Sequence, residues 1–107
     1  MDLTEKKVKS FNVEKITIQE ATTIIKDWHY SKSTNGLIVS HCFGLFHENT
    51  LIGSIIYGGL AMANAWKKYA DYPNDVVELR RLACIDLTPK NTESYFIGKT
   101  LRWLKNN

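Results

Sequence analysis

Apolar positions along the chain follow two rhythms. Behind Thr17, the residues Ala21, Ile24, Ile25 and Trp28 recur at i, i+3, i+4 and i+7, which is one stripe of an α-helix. Thr17 and Glu20 form the Thr-x-x-Glu pattern of a capping box, so the spacing predicts a helix over 18–28. The polar run HYSKSTNG, with the turn dipeptide Asn35-Gly36, ends it. Residues 37–57, LIVSHCFGLFHENTLIGSIIY, are rich in Val, Ile, Leu and Phe and predict two strands joined by a tight turn near Glu48-Asn49. Gly58-Gly59 breaks the second of these strands. KVKSF, residues 7–11, predicts a short first strand, and VVELRRLACI a late one. Between them, AMANAWKKYADY reads as a short helix or ordered loop that ends before Pro73. Asn91 is placed to cap a last helix to about Leu104, with Ile97, Leu101 and Leu104 facing inward and Phe96 and Trp103 flanking. The order is therefore β-α-β-β-(α)-β-α, an α+β (mixed α/β) fold around a mostly antiparallel sheet.

Size and composition narrow this picture. A chain of 107 residues holds one domain, 1–107, and 44% hydrophobic with 23% charged residues is a globular balance. The net charge of +3 is compatible with nucleic acid or a phosphorylated cofactor without selecting either. Cys42 and Cys84 lie far apart in apolar runs, which predicts buried free thiols and provides neither a disulfide framework nor a zinc site. The apolar stretch from Leu51 to Met62 is interrupted by Gly53, Ser54, Gly58 and Gly59, so it does not read as a membrane span. MDLTEKKVKS lacks the apolar core of a signal peptide, and the expectation is an intracellular soluble protein.

Four groups could carry chemistry. Arg80 and Arg81 sit on the late strand, just before the helix start at Asn91, where Lys90 and Ser94 add a charge and a hydroxyl. Free N–H groups and the dipole at a helix start favour an anion, whereas Glu93 in the same turn opposes one. The alternative is a structural cap with an ion pair, for instance between an arginine and Glu78. On a regular strand Arg80 and Arg81 point to opposite faces, and an inward guanidinium needs a carboxylate, a carbonyl or a ligand anion. Trp28-His29-Tyr30-Ser31-Lys32 combines a proton-transfer histidine and tyrosine with rings that could stack on a base; equally, it could be a core tryptophan followed by a half-exposed helix end. His41 and His47 share a strand face but need a third ligand to hold a metal. Tyr57 with Gly58-Gly59 marks either close backbone approach to a ligand or a simple turn.

Taken together, WHYSK, the hairpin ending IYGG, and ELRRLACIDLTPKNTESYFIGKTLRWL resemble the Mom family of phage DNA-modification proteins, which is related to the GNAT-type N-acetyltransferases. The resemblance covers about residues 15–105 and implies the first half of a GNAT-like fold, with the C-terminal half missing. It implies an acyltransferase-like enzyme that modifies adenine amines in phage DNA against host restriction, using acetyl-CoA or a related acyl-CoA, in a phage-infected or prophage-carrying bacterial cytoplasm. In that picture His29 and Tyr30 are catalytic, Arg81 or Arg80 with Asn91 and Ser94 hold the cofactor pyrophosphate, and Ser31, Lys32 and Tyr57 contact the substrate. The loop DLTPKNTES differs from the usual acetyltransferase phosphate loop in having no glycine. A homodimer could complete the sheet across an exposed edge. The alternative is a catalytically silent remnant that binds nucleic acid or a host defence protein as an inhibitor.

Overall fold

The computed structural model describes residues 2–28, 39–58 and 78–106. Among these are four strands, β1 (Asn12–Lys15), β2 (Val39–His47), β3 (Thr50–Gly58) and β4 (Glu78–Cys84), and two helices, α1 (Ile18–Trp28) and α2 (Thr92–Asn106). The strands form one antiparallel sheet in the order β1-β2-β3-β4, so the fold is α+β as the patterning predicts. The expected helix or loop over AMANAWKKYADY lies outside the described residues.

The two helices cover opposite faces of the sheet. Antiparallel partners share a face, so Cys42, Ile56 and Arg81 form one row and Gly44, Ser54 and Ala83 the next. This face meets α1, whose Ala21, Ile24 and Ile25 pack with Cys42, Ile56 and Ala83. The second row carries only small side chains. A Cβ on Gly44 would come within 2.9 Å of Ile16 and 2.8 Å of Leu51, so the bare glycine lets the start of α1 lie against the sheet. Ser54 is fully buried in that row, and its hydroxyl has no hydrogen-bond partner among the described residues. On the other face Phe43, Leu45, Ile55 and Tyr57 pack with Phe96 of α2, joined by Leu3 and Phe11 from the N-terminal segment. Burying each such side chain contributes roughly 1.5–3 kcal/mol, so these two apolar layers dominate the stability.

Local signals explain the boundaries. Both halves of the capping box form: Glu20 N donates to Thr17 Oγ1, and Thr17 N donates to Glu20 Oε1, each at 3.1 Å. The tight turn of the β2–β3 hairpin uses Glu48 in the left-handed region at φ 55°. KVKSF departs from its prediction. Val8–Ser10 is a 3-10 turn, and the strand begins only at Asn12, where β2 supplies a paired edge from Phe43 to Phe46. On α2, Thr92, Phe96 and Thr100 are the buried residues and Ile97 and Leu104 are half-buried, whereas Leu101 is 51% exposed. The inward face is therefore rotated from the one the apolar spacing predicts. Trp28, the last member of the α1 stripe, is 44% exposed.

Candidate functional site

The helix start at Asn91 forms as expected. Asn91 adopts φ 71° and its carbonyl accepts from Tyr95 N at 3.0 Å, closing the first turn of α2. Thr92 is anchored backwards, its hydroxyl donating to Pro89 O at 2.6 Å and its N–H to the same oxygen at 3.2 Å. Asn91 and Ser94 border one open concavity of about 300 Å³, together with Lys90 and Glu93. Lys90, the Ser94 hydroxyl and the positive helix end suit an anion, and Glu93 is the one opposing charge in that lining.

Arg81 sits elsewhere. Ile56 pairs with Arg81 and Tyr57 with Leu79, so Arg80 is the extra residue of a β-bulge. The simple alternation that sends neighbouring side chains to opposite faces is interrupted at this point. Arg81 shares its face with Ile56, in the layer of α1, and its guanidinium donates to Arg80 O at 2.8 Å. The α2 start belongs to the opposite layer. The structure thus brings Asn91 and Ser94 together and leaves Arg81 apart from them, in the layer of the helix that leads into the WHYSK run. His29, Tyr30, Ser31 and Lys32 lie outside the described residues.

Tyr57 corrects an expectation. Its ring is 3% exposed, and its hydroxyl shares a 2.7 Å hydrogen bond with Thr100 Oγ1. Thr100 in turn donates to Ile97 O at 2.8 Å. A buried hydroxyl must find such a partner. Tyr57 therefore ties β3 to α2 within the core and presents no surface to a substrate.

The thiols are free as read from the sequence, but only Cys42 is buried, and Cys84 is half-buried. Cys42 and Cys84 are both free, and burial pushes both thiols up in pKa, Cys84 to about 12 with the charge of Glu93 adding to the effect. Neither offers a thiolate at neutral pH. Among the described residues no group of three or more His, Cys, Asp or Glu could hold a metal. His41 and His47 point to the same face but serve different neighbours: His47 meets Phe11 edge-on, and His41 stacks towards Phe43.

A further cluster escapes sequence spacing because β1, β2 and α2 each contribute to it. Lys15 Nζ lies 3.0 Å from His41 Nδ1, 4.8 Å from the Trp103 ring centroid and 5.4 Å from that of Phe43. Trp103 meets both His41 and Phe43 edge-on, at 5.7 and 5.4 Å. An ammonium can only donate, so Nδ1 is the acceptor and the neutral imidazole carries its proton on Nε2. Desolvation and then the charge of Lys15 hold the His41 pKa below its ordinary value. His41 is therefore a neutral ring at pH 7, set among a lysine and two aromatics. Lys15–Trp103 and Lys15–Phe43 are cation–π contacts that fix the ammonium over the rings.

The described residues thus define an α+β domain with a helix on each face of an antiparallel sheet, an open polar helix start and a basic–aromatic cluster. No helix among them is long and apolar enough to cross a membrane. The sequence model of the Mom protein family matches residues 10–107, and the chain belongs to that family. Membership supports a phage DNA-modification protein. A comparison with curated proteins finds no match.

Proposed function

We propose that this chain transfers an acyl-type group to the exocyclic amine of adenine in DNA, protecting phage DNA from restriction. The observation that carries this reading is the family match across residues 10–107. The WHYSK run supplies the acceptor side: His29 and Tyr30 position the adenine amine or take its proton, with Ser31 and Lys32 towards the DNA. Arg81, in the layer of the helix that ends in Trp28, supports that same side as a fixed positive charge.

The proposed donor is acetyl-CoA or a related acyl-CoA, whose thioester would supply the acyl group, its C–S bond breaking as the N–C bond forms and CoA leaving as the thiol while the amine loses a proton. Lys90, Asn91 and Ser94 would hold its phosphates at the open start of α2. This arrangement replaces the arginine cradle implied by the strand-to-helix sequence, because Arg81 and the helix start lie in different layers.

The test of the reaction is mass spectrometry of nucleosides from cells that express the chain. A mass-shifted deoxyadenosine is the expected result; deoxyadenosine of ordinary mass throughout would remove the enzyme reading and leave a DNA-binding protein. The donor is tested separately by thermal unfolding. Acetyl-CoA at a hundredfold excess over its Kd should add about 2.7 kcal/mol and raise Tm by several degrees. An unchanged Tm at saturating acetyl-CoA excludes that donor without touching the choice of substrate.

A further inference from the structure

The basic–aromatic cluster opens onto a longer feature. Two concavities, of about 320 and 330 Å³, share Val13, Glu14 and Lys99 and so form one groove between edge strand β1 and helix α2. Lys9, Lys15, Lys99 and Arg102 border it, against the single carboxylate Glu14. Tyr95 stands at one end with Lys99 Nζ 5.7 Å from its ring centroid, and Trp103, 37% exposed, at the other. From Tyr95 to Asn106 the helix runs about 17 Å. At ~3.4 Å per stacked nucleotide, that length spans about five nucleotides of one strand.

We infer that this β1–α2 groove is a binding track for a nucleic-acid strand, with phosphates on Lys99 and Arg102 and a base against Trp103. The inference rests on the reading of DNA as the substrate and adds where the strand lies. Four cations against one carboxylate match a polyanion, and counterion release makes such contacts the main source of affinity. Exposed Trp103 and half-buried Tyr95, interleaved with these cations, offer rings on which any base can stack, the usual pairing in single-strand grooves. Lys15 keeps donor capacity beyond its bond to His41, because an ammonium has three protons. A hydrophobic protein partner fits less well, since four cations border the groove and its apolar lining is concentrated at the Phe43–Trp103 end.

The test is fluorescence anisotropy with a labelled oligothymidylate, which contains no adenine and so reports binding apart from any modification. The 107-residue chain should bind it with an affinity that falls steeply as salt rises. The double variant Lys99→Gln/Arg102→Gln should bind about tenfold more weakly, with a log–log salt slope shallower by about 1.4, as expected for two lost single-strand contacts. Trp103→Ala should lose about 5–100-fold, the range for a stacked base. Lys6→Gln/Lys7→Gln makes the same charge change outside the groove and should stay within about twofold of the parent if contacts, not net charge, decide affinity. Tm measured for every variant identifies losses due to unfolding, and the exposed Lys99 and Arg102 keep the test decisive should Trp103→Ala fail to fold. The proposal is overturned if the parent does not bind, or if the groove and control variants weaken binding equally. Modified deoxyadenosine with no effect of the groove variants would sink the groove alone; a working groove with unmodified DNA would sink the reaction alone.

Discussion

Replacing Phe96 by Ala is expected to cost about 3–5 kcal/mol, the range for a large ring removed from a packed interior. Phe96 is fully buried and belongs to the cluster of Phe43, Ile55 and Tyr57 that joins α2 to the sheet. The rest of the helix adds only the partly buried Ile97 and Leu104 and the buried Tyr57–Thr100 hydrogen bond, worth about 1 kcal/mol net, while Leu101 and Trp103 are exposed. A domain of this size has a total stability of about 5–15 kcal/mol, so the loss would remove about a fifth of it at the least, or prevent folding. Urea unfolding checks the value. Phe96→Leu should lose clearly less, because most of the volume is kept. Leu101→Ala, on the same helix but facing water, should stay within about 0.5 kcal/mol. If Phe96→Ala and Leu101→Ala unfold at the same urea concentration, α2 is not anchored by its buried ring.

That contrast also shows where the sequence could be read and where it could not. The start of α1 was legible because its signal is local: Thr17 and Glu20 satisfy each other three residues apart, and no other element is involved. The hairpin turn at Glu48 was legible for the same reason. The face of α2 was not. Apolar spacing favours Leu101, yet the helix turns Thr100 inward, because the buried Tyr57 hydroxyl needs a partner and Thr100 supplies it. Hydrophobicity carries no trace of a hydrogen bond formed with a residue 43 positions away. KVKSF was misjudged through the same blindness: Asn12–Lys15 has weak strand propensity, and its strand exists because β2 offers it a register.

The candidate site divides along similar lines. Residues 90–94 were placed correctly at a helix start, since capping is local. Grouping Arg81 with them assumed a regular strand, and the bulge at Arg80 with the pairing to Ile56 assigns Arg81 to the other layer. A bulge depends on the register of two strands, so one strand's sequence does not announce it. The cluster of Lys15, His41 and Trp103 was beyond reach altogether. Its members come from three elements, and folding alone brings the Lys15 ammonium to 3.0 Å from the His41 ring. The acceptor and donor sides of the proposed reaction thus rest on different kinds of inference, motif likeness for the first and helix-end physics for the second.

The sharpest functional expectation concerns His29→Ala, which should reduce deoxyadenosine modification by at least about 100-fold, the lower bound for a positioned proton-transfer group. Among the residues assigned to the acceptor side, His29 alone changes protonation near neutral pH, so it is the natural group to accept a proton from an amine. The other histidines have different tasks: His41 is committed to Lys15 and Trp103, and His47 packs against Phe11. Neither thiol can substitute, since desolvation raises the pKa of both. Three measurements on the variant separate the possible origins of a loss. Tm should match the parent, oligothymidylate binding should persist if the β1–α2 groove holds the strand, and nucleoside mass spectrometry should show the modified fraction collapse. Full modification by His29→Ala would remove the histidine from the mechanism and move the proton to Tyr30. A fall in Tm together with activity would instead make His29 a structural residue of the WHYSK run. The combination of intact folding, intact DNA binding and absent product is the one outcome that places His29 at the reacting amine.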